Sequence, residues 1–312
     1  MSDKKMAIRD AYGNALAKYG AENERVVVLE ADLGASTKST VFGKQFPDRY
    51  YNVGIAELNM VSMAAGMASC GMIPFVNTFS VFLATRASDP IQSLAAYDNM
   101  NIKLAGTYCG MSDSYDGASH NAITDMAFVR SLPNMTLLSV CDPIETDKAV
   151  KAAMEWNGPV YLRLSRADSP YIFDESYDFQ IGKGVELTDG KDVTIVATGY
   201  MVHKALEAAK LLAAKGISAK VVDIHTVQPI DEELLIKCAK ETGAIVTAEE
   251  HSVRGGLGGA VAEALAKHCP VPMEFAGITE FGESGDYEQL LTKYKLDAAA
   301  IAEKAEAVIK KK

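Results

Sequence analysis

The 312-residue sequence predicts an α/β protein of two domains, each a mostly parallel sheet covered by helices. Three observations predict it. Short apolar runs such as VVVLE (26–30), VYLRL (160–164) and VTIVA (193–197) alternate with longer amphipathic stretches, the order that builds parallel strands joined by crossover helices. The alternation lapses once, over DSPYIFDESYDFQIGK (168–183), and then resumes, which divides the chain into residues 1–168, a linker over 169–185 and residues 186–312. The length also allows each part to bury a core of its own.

Met6, Ile8, Ala11, Ala15, Leu16 and Tyr19 share one face of an amphipathic helix over 6–19, with Gly20 as its stop. Val26 to Glu30 reads as a buried strand, and the turn ADLGAS follows at its carboxyl end, where open α/β sheets line ligand crevices. After a strand at Tyr50 to Asn52 comes GIAELNMVSMAAGMASCGMIPFVNTFSVF (54–82), in which Glu57 is the only charge; none follows from Leu58 to Thr85. This block reads as a helix over 57–70, apolar all round and so expected to be buried, a turn at Gly71, a strand over 72–77 and a second helix from about Ser80. It exceeds the roughly 20 residues that cross a bilayer, but Asn59, Ser62, Gly66, Ser69, Pro74 and Asn77 interrupt it, so a membrane span is not expected.

A strand at Ile102 to Tyr108 leads into the polar loop CGMSDSYDGASH, then a helix near Thr124 to Arg130, a strand at Thr136 to Val140, a helix at Ile144 to Trp156 and a strand at Val160 to Leu164. Beyond the linker the expected order is strand Val193 to Ala197, helix 201–215, strand Ala219 to Ile224, helix 231–241, strand Ala244 to Glu249, helix 258–268, strand Val271 to Phe275 and a closing helix from Asp297. The RGGLGG turn before helix 258–268 lacks the spacing of a dinucleotide or Walker motif, so close backbone packing is expected there rather than phosphate binding.

With 31 basic and 41 acidic side chains the formal charge is -10, which argues against nucleic-acid binding through the overall field. Cys70, Cys109, Cys141, Cys238 and Cys269 have neither CxxC nor metal-finger spacing; reduced thiols and a cytoplasmic address are expected. MSDKKMAIRD has no apolar signal-peptide core.

Glu57 has two readings. An acid in the first turn of a helix faces unpaired N–H groups and is favoured there by about 0.3–1 kcal/mol. A carboxylate at the mouth of an apolar block can also keep or donate a proton near neutral pH. Asp116 and His120 lie in a polar loop after a buried strand, a common place for substrate contacts, although a loop histidine is often only solvated. Taken singly, Phe79 and Phe82 read as core, and Arg9 and Arg166 as surface charges.

Together, ADLGAS, GIAELN, TFSVF and DGASH, in this order and spacing, resemble the pyrimidine-binding domain of transketolases, and VVDIHTVQPID with TAEEHSVRGGLGGAVAEAL resembles their C-terminal domain. The resemblance covers nearly the whole chain. The family's amino-terminal domain, which holds the diphosphate of thiamine diphosphate and a divalent metal (Mg or Ca) through GDG and a later Asn, has no counterpart in these motifs, and too little chain precedes Val26 for it. The chain therefore looks like the carboxyl-side subunit of a split transketolase. That resemblance implies an amino-terminal partner subunit holding the metal, a heterotetramer, and two-carbon ketol transfer between sugar phosphates.

It also implies roles. Glu57 matches the glutamate that hydrogen-bonds the cofactor's aminopyrimidine and so helps remove the proton from its reactive carbon. Phe79 and Phe82 match aromatics stacked on that ring, and Asp32 an acid lining the same cleft. Asp116 matches a reader of a sugar hydroxyl, and His120 a contact to the donor's reacting end. Arg9, Ser36 and Arg166 match the phosphate-holding positions. His203, His225, His251 and His268 match no catalytic position and are expected to be structural. Two departures stand out: Tyr108 replaces a histidine and Tyr115 an acid, which leaves the identity of the sugar open. The β subunit of a 2-oxo acid dehydrogenase and a deoxyxylulose-phosphate synthase are enzymatic alternatives, and a non-catalytic assembly subunit is another.

Overall fold

The computed structural model describes residues 4–312. In chain order the strands are β1 (Lys5–Ala7), β2 (Val26–Glu30), β3 (Tyr50–Asn52), β4 (Ile73–Phe79), β5 (Lys103–Thr107), β6 (Thr136–Ser139) and β7 (Val160–Leu164). They continue with β8 (Asp168–Pro170), β9 (Val185–Thr188), β10 (Val193–Ala197), β11 (Ala219–Asp223), β12 (Thr226–Gln228), β13 (Ile245–Ser252) and β14 (Met273–Ile278).

The fold is α/β, with two mostly parallel sheets covered by helices. The first has seven strands in the order β12-β6-β7-β5-β4-β2-β3, and the second five in the order β14-β13-β10-β11-β9. Valine, isoleucine and leucine runs in β2, β7 and β10 are buried along their whole length, as sheets covered on both faces require. The helices Ile8–Glu22 and Pro143–Glu155 share a core with Val26, Val28, Phe75 and Leu162, while the helix Glu57–Ser69 shares another with Val27, Leu29, Val76 and Leu104.

The structure corrects several sequence expectations. The first helix is Ile8–Glu22, because Lys5–Ala7 pairs antiparallel with β8 instead; β8 itself straddles the start of the linker expected over 169–185. The strand expected at 72–77 runs over Ile73–Phe79, and the helix from Ser80 ends at Arg86, followed by a π-helical stretch at Ile91–Ala96. The strand expected at 271–275 is Met273–Ile278, and a helix at Tyr287–Lys293 was not foreseen. Neither sheet is wholly parallel: β9 pairs antiparallel with β11, and β12, from the second half of the chain, pairs antiparallel with β6 of the first.

The helix Glu57–Ser69 is not buried all round. Met60, Val61, Ala64 and Ala65 pack inward, but Leu58 is 51% and Met63 37% exposed, beside Ile55 at 74%. Its apolar periphery is therefore open in the single chain.

Candidate active site

Parallel strands place their following turns along one edge of the sheet, and this edge of the seven-stranded sheet collects the polar islands read from the sequence. Asp32 follows β2, Glu57 opens the helix after β3, Phe79 ends β4, Tyr108 follows β5, and Arg166 follows β7. Arg9 joins them from the first turn of the helix Ile8–Glu22.

Tyr108 is the centre of one cluster. Its backbone φ is +58°, a left-handed conformation costly for a residue with a Cβ. Contacts on every side hold it there. The ring stacks on Phe79 with centroids 4.1 Å apart, the Arg9 guanidinium donates to its hydroxyl, and the guanidinium carbons of Arg9 and Arg166 lie 5.1 and 5.4 Å from its centroid. Arg9 also donates to the Ser36 backbone carbonyl at 3.2 Å. Ser36 thus contributes its main-chain carbonyl here, at a position where the family resemblance implies a phosphate contact.

A second cluster surrounds Phe82, which stacks on Phe79 at 5.7 Å and takes the edge of His120 at 5.4 Å. The Arg86 guanidinium lies 4.0 Å from the Phe82 centroid and donates to Glu57 Oε1 at 3.1 Å. Glu57 is 4% exposed. His120 Nδ1 is 2.9 Å from the Ser119 hydroxyl, and Asp116 is exposed on the same loop. Asp32 accepts from Asn52 at 3.1 Å, and no hydrogen bond or ion pair joins its side chain to the other predicted site residues.

Two members of the cleft were not singled out from the sequence. Asp113 is buried, with Oδ1 3.4 Å from Arg166 Nη1, and burial together with the Asp116 charge pushes its carboxyl up to about 6. Arg86 is the first charge after the long neutral run. The spacing of Glu57 and Arg86, the two ends of that run, was the available signal.

The second half of the chain holds the loop from beneath. Glu250 accepts from the Met111 backbone N–H at 2.5 Å and from the Tyr287 hydroxyl at 2.9 Å, and a Cβ on Gly110 would stand 2.5 Å from its carboxyl carbon. Gly110 has φ +61°, so only glycine suits both the turn and the approach. Arg163, fully buried in β7, donates to Asp125 at 2.9 Å and to the carbonyls of Ala122 and Glu250 at 3.1 and 2.7 Å. Burial pushes Glu250 up to about 7. The RGGLGG turn packs closely, as expected. Glu249 accepts from the Leu257 and Gly258 N–H groups at 2.6 and 2.8 Å, so the helix N-terminus is filled by the protein's own carboxylate.

The histidines outside the cleft have structural partners: His203 meets the Cys141 carbonyl at 2.8 Å, His225 the Thr226 hydroxyl at 2.9 Å, and His251 the Ser252 carbonyl at 2.8 Å, while His268 faces Glu232 on the surface at 3.4 Å. The five cysteines are unpaired, and no helix among the described residues is long and apolar enough to cross a membrane.

The model of the transketolase pyrimidine-binding domain matches residues 4–170, and that of the transketolase C-terminal domain matches residues 182–301. A protein of Methanocaldococcus jannaschii, provisionally named a transketolase C-terminal section, is 42% identical over 97% of this chain and 96% of its own length. A 6-deoxy-6-sulfo-D-fructose transketolase subunit of Clostridium sp. is 40% identical over 98% of this chain and 95% of its own. Human transketolase is 38% identical over 98% of this chain, which spans only 50% of that enzyme. A solved structure of a split-gene transketolase, described as an inactive β4 tetramer, superimposes with a TM-score of 0.91 at 46% identity, covering 98% of this chain and 99% of that one.

Proposed function

This chain belongs to the transketolase family, as the half that carries the pyrimidine-binding and C-terminal domains, and from that premise we propose that it is one subunit of a two-chain transketolase. The domains run over 1–168 and 186–312, joined by 169–185. The partner is an amino-terminal subunit that holds the diphosphate of thiamine diphosphate and a divalent metal, Mg or Ca. The assembly moves a two-carbon ketol unit between sugar phosphates in the cytoplasm.

The observation that carries the proposal is the convergence of a buried carboxylate, two aromatic faces, an imidazole and two guanidinium groups at one edge of a parallel sheet. The residues fit the aminopyrimidine end of the cofactor. A flat, hydrogen-bond-donating group, the Arg86 guanidinium, already lies on Phe82 and donates to Glu57, which are the two contacts a flat nitrogen heterocycle would make. Bound thiamine diphosphate supplies the carbon nucleophile. Glu57 holds a proton at the pyrimidine nitrogen, Phe79 and Phe82 fix the ring's plane, and Asp32 lines the cleft. His120 moves a proton at the reacting end of the sugar, and Asp116 accepts from one of its hydroxyls. Arg9 and Arg166, with the Ser36 turn, hold the sugar's terminal anion.

The open apolar face of Ile55, Leu58 and Met63 supports self-association into a heterotetramer. The test is transfer from xylulose 5-phosphate to ribose 5-phosphate, with thiamine diphosphate and magnesium, by this chain alone and with its amino-terminal partner. Turnover only in the mixture is expected. A mixture that binds the cofactor but transfers nothing rejects the pentose phosphates as substrates.

Tyr108 favours a second reading. A neutral hydroxyl stands where the family resemblance implies a histidine, and the Clostridium relative is named for a sulfonated ketose. Under this reading the donor is a sugar ending in sulfonate rather than phosphate.

A further inference from the structure

The two guanidinium groups beside Tyr108 are not equally available. Arg9 donates to the Tyr108 hydroxyl and the Ser36 carbonyl, and its Nε is buried without a partner. Arg166 is paired with Asp113, whose side chain is 1% exposed. Asp113 Oδ2 is buried with no hydrogen-bond partner, and the charges facing the group are Arg166, Asp116 and His120. A buried carboxylate is costly unless a cation answers it. Arg166 is that cation, so part of the positive charge at this end of the cleft is matched before any substrate arrives.

On the reading of the cleft proposed above, we infer that Asp113 is a positioning residue that sets the charge of the anion-binding end through Arg166, matching it to a terminal group of one negative charge in preference to a dianion. At the two guanidinium groups beside Tyr108, Arg9 and Arg166 bring two positive charges and Asp113, paired with Arg166, cancels one of them; Asp116, exposed on the same loop, adds negative charge that solvent screens. A singly charged end completes the balance, whereas a phosphate dianion overfills it and must also face the Asp113 carboxylate. Tyr108 acts in the same direction, because its hydroxyl takes an Arg9 N–H without adding charge. With its carboxyl pushed up only to about 6, Asp113 is ionised at pH 7.5.

The test compares two ligands that differ only in the terminal group, fructose 6-phosphate and the same ketose carrying a 6-sulfonate. Binding is measured by calorimetry at pH 7.5 on the two-chain assembly loaded with thiamine diphosphate and magnesium, without acceptor, and turnover in the same assembly with acceptor. The wild type is expected to bind the sulfonate at least as tightly as the phosphate. Asp113→Asn is expected to shift that ratio toward phosphate by about tenfold, because the second ligand charge is relieved of the Coulomb repulsion of the Asp113 carboxylate. Asp113→Ser, as a second variant, shifts it the same way. A purely structural role would weaken both ligands together and leave the ratio unchanged, and that result overturns the inference, as does failure of the wild type to bind either compound. A shifted ratio without turnover supports the charge assignment and counts instead against ketol transfer.

Discussion

The two sheets of this protein have the same plan and opposite uses of charge. In the seven-stranded sheet the side chains of Glu57, Arg9 and Arg166 meet Arg86, Tyr108 and Asp113 at the strand ends, while two other acids there, Glu30 and Asp142, accept backbone N–H groups. In the five-stranded sheet the matching strand-end acids are consumed by the fold: Glu249 caps the helix Leu257–His268, and Glu250 ties down Met111 and Tyr287. Strand ends are good places for a site because turns there are open, but a group serves chemistry only if the fold leaves it free to change partners. Both sheets offer the place. At the seven-stranded sheet the side chains of Glu57 and Arg166 are matched by other side chains, Arg86 and Asp113, which can exchange partners where a backbone N–H cannot.

The sharpest test of this contrast sets Glu57 against Glu249. Glu57→Ala in the assembled enzyme should lower kcat by about 10²–10⁴ while urea denaturation of the chain changes little. Glu249→Ala should do the reverse, leaving kcat close to wild type and costing roughly 2–4 kcal/mol of stability, because two buried N–H groups lose their acceptor. A large stability loss at Glu57, or a large kcat loss at Glu249, would break the comparison.

Glu250 sharpens it through pH. Its folded-state pKa of about 7 lies above the ordinary 4.5, so the native protein keeps this proton longer than the unfolded chain does. The stability it contributes is therefore complete below about 4.5 and lost as pH rises through about 7, on the order of 3 kcal/mol. His251, pushed down to about 4 by burial, works the other way: its contribution is present above 6.5 and lost as pH falls through about 4. The informative quantity is thus the difference between wild type and Glu250→Gln, which should move against the wild type between pH 4.5 and 7 in chemical denaturation. The smallest effect belongs to the aromatic floor. Phe82→Ala should weaken thiamine diphosphate binding to the assembly about tenfold, read by calorimetry, with stability nearly unchanged because Phe82 is only half-buried.

The alternation of elements was legible because strands and helices differ in length and period. Short polar islands after apolar runs marked Glu57, Asp116 and His120 as candidates, whereas Phe79, Phe82, Arg9 and Arg166 read singly as core and surface and became candidates only through the family resemblance. What escaped needed the third dimension. Arg86 looked like the end of a neutral stretch; only folding the helix Ser80–Arg86 back toward the helix Glu57–Ser69 brings it to the acid at the other end. Asp113 sits among serines in a loop whose sequence does not say which acid turns inward. The outer face of the helix Glu57–Ser69 was read as buried because composition registers apolarity and not whether this chain or another covers it. The β12 strand, only TVQ long, gave no periodicity to read.

That three-residue strand has a practical consequence for anyone exchanging parts between relatives. A cut in the linker would separate β12 from β6, leaving the amino-terminal fragment with a bare sheet margin and the other fragment with an unmoored segment. Fragments made that way should stick to themselves. A chimaera that respects the crossing must carry residues 226–228 together with the sheet they complete, so the modular unit in space is not the modular unit in sequence.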